Sequence, residues 1–164
     1  MRIRPVEPAD AALISGIAAH REMKKSMLIS NIDFTGADKI IAGLTELDHM
    51  FVLESETPPT EICAVLLLRV DPQIYLRRLA RVEIMVAAKW QGQGIGKALL
   101  QSALELADKE LMTERLEAEI LTDNMSALKL FKSCGFKVEG TARDWASDEN
   151  GTYMDACLLA RCRP

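Results

Sequence analysis

Apolar and polar positions along the chain follow two periods, the two-residue alternation of strands and the wider spacing of amphipathic helices. The strands predicted from this pattern are Arg2–Val6, Met50–Glu54, Ile62–Val70, Leu79–Val86, Leu116–Ile120, Phe136–Ala146 and Thr152–Cys162. Helices are predicted from Pro8 and Asp10 to about Met23, from about Ala37 to Leu47, from Gly94 to about Leu111, and between Asn124 and Gly135. The order of these helices and strands predicts an α/β fold, more exactly an α+β fold with a mixed sheet and a pair of helices inserted early in the chain.

The segments between these elements carry turn and loop signals. A polar, looser stretch runs from Lys24 to Phe34, and a loop contains Pro58-Pro59. Asp71-Pro72 marks a turn before the fourth strand, and Asn150-Gly151 is a strong signal for a hairpin between the last two strands. No internal repeat or linker interrupts the pattern, so one domain over residues 1–164 is expected.

The fourth strand leads into the strongest helical segment through a glycine-rich run, Gln91, Gly92, Gln93, Gly94, Ile95, Gly96 and Lys97. A strand that turns through glycines into a helix leaves backbone N–H groups without intrahelical partners. The helix dipole adds about half a positive charge at the same place. Because glycine lets a ligand approach the backbone closely, the run predicts a site for a phosphate or pyrophosphate group.

The glycine spacing distinguishes between the known phosphate-binding loops. Gly92, Gly94 and Gly96 give G-x-G-x-G instead of the G-x-G-x-x-G of dinucleotide sites, and Lys97 lacks the following Ser or Thr of a P-loop. The run does fit [QR]-x-x-G-x-[GA], with Gln91, Gly94 and Gly96 at the fixed positions. It therefore resembles the acyl-CoA pyrophosphate loop of the GNAT superfamily of N-acetyltransferases.

A second stretch, from Thr122 to Phe136, resembles the other recurrent motif of that superfamily, N-x-x-A-x-x-L-[YF]-x-x-x-G-F. Asp123 or Asn124 can cap a short helix, and Gly135 is placed to end it in a left-handed conformation. Apolar residues follow one face of this helix, namely Ala127, Leu130, Phe131 and Cys134. The two motifs occur in the order typical of the superfamily, so the chain is identified as a member of it.

The resemblance implies a central mixed sheet, flanked by helices, in which two neighbouring strands splay apart after a bulge in the fourth strand. The pantetheine arm of acetyl-CoA, the implied co-substrate, lies in the gap and pairs with the backbone of Ile84–Val86. The glycine-rich run binds the pyrophosphate, and Asn124 contacts the cofactor near its thioester. By motif position, the implied cofactor-binding residues are Ile84, Met85, Val86, Gln91, Gly92, Gln93, Gly94, Ile95, Gly96, Lys97 and Asn124.

The implied reaction is direct attack of a neutral amine on the thioester in a ternary complex. A carboxylate can accept the proton of the amine, and backbone N–H groups of the splayed strand can stabilise the oxyanion. Glu83, at the start of the cofactor strand, is the first candidate base, and its alternative role is an exposed residue paired with Arg81 or Arg78. Glu117 and Glu119 are weaker candidates, because alternating acids on a strand are typical of a solvent face.

The residue at the usual position of the general acid differs from the one that many members of the superfamily carry. Phe131 stands where many members carry a tyrosine that protonates the departing CoA thiolate, and phenylalanine cannot donate a proton. Tyr153 lies in the hairpin strand that often borders the acceptor pocket in this superfamily, and it is the candidate donor, with solvent as the alternative. Tyr153 belongs to a G-x-Y-x-D run that, with Arg143 and Trp145, is similar to members acting on amino acids and related small amines.

Composition excludes several other classes of function. Of the 164 residues, 49% are hydrophobic and 27% are charged, and the net charge is −4, which is ordinary for a soluble globular domain. Mild acidity disfavours a nucleic-acid partner, and no apolar run approaches the length of a membrane span. We expect the apolar segment Ala11–Ala19 to be a helix and not a signal peptide. The four cysteines lack metal-ligand spacing, so we expect no metal. Without a signal peptide we expect a cytoplasmic location, in which the cysteines are reduced.

The sequence therefore predicts a cytoplasmic enzyme that transfers acetyl from acetyl-CoA to a primary amine, with an amino acid or a similar small amine as the favoured acceptor. Two alternatives stay open: a protein lysine or N-terminal acetyltransferase, and a non-catalytic acyl-CoA sensor, which Phe131 makes conceivable. A homodimer is compatible with the sequence, whereas nucleic-acid and membrane partners are not expected. The identity of the acceptor amine is not encoded in either motif.

Overall fold

A computed structural model of the chain describes residues 1–20, 23, 33–73, 75 and 78–163. Its strands are β1 Arg2–Pro5, β2 Asp48–Glu54, β3 Ile62–Val70, β4 Leu79–Val86, β5 Arg115–Leu121, β6 Lys137–Ser147 and β7 Tyr153–Cys162. Its α-helices are α1 Ala11–Ala19, α2 Ala37–Ala42, α3 Ile95–Lys109 and α4 Met125–Ser133. Short 3-10 turns occupy Pro8–Asp10, Phe34–Gly36 and Ala88–Trp90.

The seven strands form one mixed sheet in the order β1-β2-β3-β4-β5-β7-β6. Neighbouring strands are antiparallel except β4 and β5, which run parallel. A parallel pair needs a crossover connection, and α3 lies in that connection. The predicted mixed α/β architecture is confirmed, because helices and strands occur in the predicted order.

Apolar side chains are buried on both faces of the sheet. Every residue of β3 except Arg69 is buried, which explains why Ile62–Val70 reads as a continuous apolar run. On one face the strands pack against α3 and α4, with Leu99, Leu100 and Phe131 in that cluster. On the other face they pack against α1 and α2. The sheet is therefore a central layer between α1 and α2 on one face and α3 and α4 on the other.

The ladder between β4 and β5 is much shorter than either strand. Only Leu79, Ala80 and Arg81 of β4 pair with β5, and the β5-facing edge of β4 beyond them has no strand partner among the described residues. On its other edge, β4 pairs with β3 in one register from Ala80 to Val86. The expected splay is therefore present, but the expected bulge is absent from the described β3–β4 ladder. The separation occurs on the β5 side alone.

Several predicted boundaries differ from the observed ones. The helix expected to reach Leu47 ends at Ala42, because the N–H of Gly43 already bonds the carbonyls of Lys39 and Ile40 and closes the last turn. Strand β2 then begins at Asp48, two residues before the predicted start.

The first helix also ends early, at Ala19, where the backbone of His20 becomes extended. Residues 21 and 22 of its predicted continuation to Met23, and most of the polar stretch from Lys24 to Phe34, lie outside the described residues.

An ion cluster fixes the start of the chain to the sheet. Arg4 on β1 donates to both carboxyl oxygens of Asp10 at 2.7 and 2.9 Å and to Glu54 on β2 at 2.9 Å. Asp10 is buried and also accepts from the N–H of Glu7 at 2.8 Å. The hydrogen bond from Arg4 is the main cause that lowers the pKa of the Asp10 carboxyl.

We predict that Asp10→Asn lowers the free energy of unfolding by about 1–3 kcal/mol at neutral pH, because Arg4 loses a charged partner in a mostly buried setting. A carboxyl whose pKa is lowered on folding stabilises the fold above its unfolded pKa, and that contribution is lost as the pH falls through the folded pKa. The deficit of the variant should therefore shrink in acid. Denaturant titrations at several pH values measure it, with Glu105→Gln, in an exposed pair with Lys109, as the control. A deficit that does not change with pH would contradict this.

Candidate functional site

A cavity of about 650 Å³ opens where β4 separates from β5, between the start of α3 and one side of α4. Its lining includes every residue predicted to bind the cofactor except Gln93. The full lining is Met23, Ile84, Met85, Val86, Trp90, Gln91, Gly92, Gly94, Ile95, Gly96, Lys97, Leu121, Asp123, Asn124, Ser126, Ala127, Lys129, Leu130 and Ser133. The two sequence motifs, about thirty residues apart, therefore meet around one cavity.

The glycine-rich run has the backbone geometry of an anion site. Gly92 and Gly94 have φ of 72° and 79°, a left-handed region that favours glycine. The first bond within α3 runs from the N–H of Ala98 to the carbonyl of Gly94 at 3.0 Å. In the described part of the chain, no side chain caps this helix and the N–H groups of Ile95–Lys97 have no backbone acceptor. These amides are therefore available to an anion in the cavity.

Gly96 has a different role from the other glycines of the run. A Cβ atom at this position would lie 3.1 Å from Cγ2 of Val86 and 3.2 Å from Cδ2 of Leu130. The absence of a side chain thus lets α3 approach β4 and α4 closely. Substitution of Gly96 changes packing as well as ligand access, whereas a Cβ at Gly94 would meet nothing within 4 Å.

Two glutamine side chains hold the run in place. Gln91 donates from Nε2 to the carbonyl of Val86 at 3.1 Å, which ties the run to the end of β4. Gln93 donates to the carbonyl of Lys89 at 2.9 Å, and this side chain is not part of the cavity lining. The cavity therefore does not bring Gln93 together with the other residues predicted to bind a cofactor.

Asn124 caps α4 from the cavity wall. Its Oδ1 accepts from the N–H of Ala127 at 3.2 Å and from the hydroxyl of Ser126 at 3.0 Å. Of the two capping residues that the sequence allowed, Asn124 is therefore the one that caps. At the other end of the motif, Gly135 has φ of 89°, which confirms the predicted left-handed stop.

The predicted catalytic residues lie outside the lining. Glu83 is half-buried on β4 opposite Leu67 and on the same face of the strand as Met85. Tyr153 begins β7 and is 68% exposed. Their catalytic roles stay predictions. Phe131 is 3% exposed and packs edge-on against Phe136, with ring centroids 5.0 Å apart, so its ring belongs to the core beneath α4.

The site residues predicted from the sequence did not include the α4 side chains that line one wall of the cavity. The helix presents Ser126, Lys129 and Ser133 to the cavity, beside Ala127 and Leu130 of the predicted apolar face. Their spacing of three and four residues marks one side of a helix, which is the signal that could have identified them. Leu121 and Asp123, just before the cap, complete this wall.

Glu119, near the point where β4 and β5 separate, differs from its neighbours in the pKa of its carboxyl. Burial raises the pKa of the Glu119 carboxyl, and Glu117 adds to this increase, while Arg81 and a hydrogen bond from the Trp145 side chain act against it. The sequence assigned Glu117 and Glu119 alike to a solvent face. That interpretation is wrong for Glu119, because its Oε2 atom is buried and has no hydrogen-bond partner among the described residues.

Comparison with known proteins agrees with this geometry. The model of the acetyltransferase (GNAT) family matches residues 29–136. The chain therefore belongs to the GNAT family of acetyltransferases, which use acetyl-CoA as the acetyl donor.

Two curated relatives are similar over part of the chain. An L-amino acid N-acetyltransferase of Escherichia coli K12, AaaT, is 36% identical over 58% of this chain and 60% of its own length. A spermidine N(1)-acetyltransferase of Vibrio cholerae is 30% identical over 49% of this chain and 46% of its own length. The matched segments thus span less than two thirds of either relative.

Solved structures match nearly the whole chain. A crystal structure described as a candidate phosphinothricin N-acetyltransferase has a TM-score of 0.84 and 26% identity, covering 98% of this chain and 97% of its own. The spermidine N-acetyltransferase of Vibrio cholerae, solved with CoA and spermine, has a TM-score of 0.82 at 21% identity, covering 98% of this chain and 94% of its own. The second likeness concerns the fold alone.

No helix among the described residues is long and apolar enough to cross a membrane. No group of three or more His, Cys, Asp or Glu side chains among them is arranged to hold a metal ion.

We predict that Gly94→Ala weakens coenzyme A binding about tenfold or more, because its Cβ occupies the approach to the free amides of α3. Loss of one hydrogen bond to a charged group corresponds to about that factor. Gly151→Ala is the matched control: Gly151 has φ of 78° in the remote β6–β7 hairpin and equally open surroundings, so both variants carry a similar backbone strain of about 1–2 kcal/mol. Calorimetric titration of both measures this. Equal affinities would argue against the anion site.

Proposed function

We propose that this chain is an acetyl-CoA-dependent N-acetyltransferase and that its acceptor is a small primary amine, with an amino acid favoured. The observation that carries the proposal is the position of the free α3 amides at the end of β4, beside an edge of β4 without a strand partner in the described residues. The anion site suits a phosphate group at one end of an extended ligand. The unpaired strand edge suits a chain of amides at the other end. Coenzyme A has both.

In the proposed complex, the pyrophosphate binds the N–H groups of Ile95–Lys97, with Lys97 adding a positive charge at the cavity wall. The pantetheine amides pair with the free edge of β4 along Ile84–Val86, as an added strand would. Asn124, whose Oδ1 is occupied by the cap, would donate from its Nδ2 group near the thioester. The acetyl group is then held toward the end of the gap where β4 and β5 meet.

The proposed reaction needs a free amine, because an ammonium has no lone pair. A carboxylate accepts the ammonium proton, the amine nitrogen attacks the carbonyl carbon, and a backbone N–H of β4 stabilises the oxyanion. The C–S bond then breaks with its electron pair on sulfur, the amide nitrogen loses its second proton to solvent, and the thiolate takes a proton. With the Phe131 ring in the core and Tyr153 exposed, solvent is the proposed source of that proton. Glu83 is the base predicted from sequence.

The choice of acceptor is supported by the similarity to a relative named as an L-amino acid N-acetyltransferase. A second relative is named for spermidine and a third for a ribosomal protein alanine. Polyamines and peptide N-termini are therefore the acceptors that a test must include.

A thiol-release assay with acetyl-CoA across amino acids, polyamines, aminoglycosides and peptides tests the proposal. Release that depends on an amino acid supports it, and the acetylated nitrogen can be identified by mass spectrometry. Greater release with peptides would favour a protein acetyltransferase. Tight coenzyme A binding without release for any amine would identify a sensor and reject the enzyme proposal.

We predict intersecting double-reciprocal plots, because direct attack requires both substrates to be bound together. Cys134 is half-buried at the end of α4, and Cys134→Ala should retain activity within about threefold if no acyl-cysteine forms. Initial rates over a grid of both substrate concentrations measure the pattern. Parallel lines, or acetylation of the protein when amine is omitted, would contradict direct attack.

A further inference from the structure

Glu119 marks the face of the gap between β4 and β5 that lies opposite to α3. The last residue pair of the β4–β5 ladder joins Arg81 to Glu117, and Glu119 is the next β5 residue whose side chain points to the same face. The alternate residues Ala118 and Ile120 pack in the cluster with α3. Glu119 therefore borders the gap just beyond the end of the ladder, on the face that α3 does not cover.

Strand β6 is irregular in its second half. Its ladder with β7 shifts register between Ala142 and Ala146, so that three residues of β6 stand opposite Asp155 alone. The middle one, Asp144, has φ of 50°, and its N–H donates to Oδ1 of Asp155 at 2.9 Å. This bond fixes the backbone one residue before Trp145, and bulges of this kind commonly re-aim a side chain.

The indole of Trp145 reaches from β6 to β5. Its side chain donates a hydrogen bond to the carboxyl of Glu119, although β7 lies between these two strands in the sheet. The N–H is the one donor of an indole ring, so this bond anchors the ring, while Trp145 stays 46% exposed. Part of the ring surface is therefore held open at the border of the gap.

Leu158 on β7 adds a second apolar surface beside the same carboxyl. It is the direct cross-strand partner of Glu119, and such partners have Cβ atoms about 4.5–5.5 Å apart on one face of a sheet. Leu158 is 37% exposed. Trp145 and Leu158, the apolar wall of the gap, thus both lie next to Glu119 with part of their surface open.

The arginines close to this wall are held by carboxylates. Arg115 donates to Glu117 at 2.7 Å and to Glu139 at 3.1 Å. Arg81 lies 3.4 Å from Asp71 and 3.9 Å from Glu117. Because these charges are paired with one another, the apolar wall is the surface that a small molecule at this side of the gap can cover.

We propose that the apolar wall contacts the side chain of the acceptor and selects an amino acid whose side chain is apolar or aromatic, with Asp155 as the positioning residue for Trp145. This inference rests on the proposed function, which holds the acetyl group where β4 and β5 meet. An amine nitrogen at that point leaves its own side chain beside the wall. Removal of apolar surface from water provides the selection, and an aromatic acceptor gains a further ring contact with the indole.

The test measures kcat/KM for leucine, phenylalanine and alanine as acceptors in the wild type and in Trp145→Ala. The wild type should prefer leucine and phenylalanine to alanine about tenfold or more, because one methylene in an apolar pocket already changes kcat/KM by about that factor. Trp145→Ala should reduce the preference to less than about threefold, chiefly through KM of the acceptor. Val138→Ala is the control: Val138 is 41% exposed and lies earlier on the same strand, so every value should match the wild type.

Tryptophan emission gives a binding readout that does not depend on turnover. The chain has two tryptophans, of which Trp90 lines the cofactor cavity and Trp145 belongs to the apolar wall. With coenzyme A bound, leucine should change the emission of the wild type but not that of Trp145→Phe. The change caused by coenzyme A should persist in this variant, because Trp90 is intact. An equal response to leucine in Trp145→Phe would reject the contact.

Two variants of Asp155 test its positioning role. Asp155→Ala removes the acceptor of the Asp144 N–H, so the preference for leucine over alanine should fall about threefold, the factor that corresponds to one hydrogen bond. Asp155→Asn keeps an Oδ1 that accepts from the same N–H and should restore the preference. A merely structural residue would lower kcat/KM for both acceptors equally, and this result would overturn the positioning role.

The outcomes separate this inference from the proposed function. If the wild type releases thiol with amines but Trp145→Ala lowers kcat/KM equally for leucine and alanine, the selection is rejected and acetyl transfer to an amine stands. A wild type that prefers spermidine or a peptide to leucine would reject the selection in the same way. A wild type that binds coenzyme A without thiol release for any amine would overturn both. If Trp145→Ala does not fold, the emission of Trp145→Phe decides.

Discussion

The separation of β4 from β5 after three residue pairs is the constraint on which the site depends. A parallel ladder that continued to Val86 would satisfy the backbone edge of β4 and leave no room between the strands. Because it stops at Arg81, the sheet contains a gap within its own hydrogen-bonded layer. The gap persists because β4 stays paired with β3 along its other edge and because the two helix layers cover both faces.

Helix α3 and the gap are linked through the glycine-rich run. Gly96 lets the helix approach Val86 and Leu130 closely, and Gln91 ties the run to the last residue of β4. The free amides of the helix N-terminus are thereby fixed beside the open end of the gap. An anionic group and an extended amide chain on one ligand would suit this arrangement.

The two faces of the sheet give the gap two chemical environments. The α3 face supplies amides, a lysine and the polar side of α4, while the opposite face carries Arg81, Glu83, Glu117 and Glu119. Glu119 differs from Glu117 because burial raises the pKa of its carboxyl, whereas Glu117 accepts a hydrogen bond from Arg115. Acidic residues with the same alternation in sequence thus have different electrostatic surroundings.

The sequence by itself determined the element order, the glycine-rich entry into α3, the cap at Asn124 and the left-handed stop at Gly135, because periodicity, glycine and capping residues act within a few residues of the chain. The prediction for α2 ran too far, to Leu47, because the hydrophobic spacing continues past Gly43, where the last turn closes. Only the tertiary structure decided where β4 leaves β5, which side of α4 lines the cavity, and that the Phe131 ring is in the core. It also decided that Glu119 lacks a partner for Oε2 within the described chain, because burial and ion pairing depend on strands that meet across the sheet.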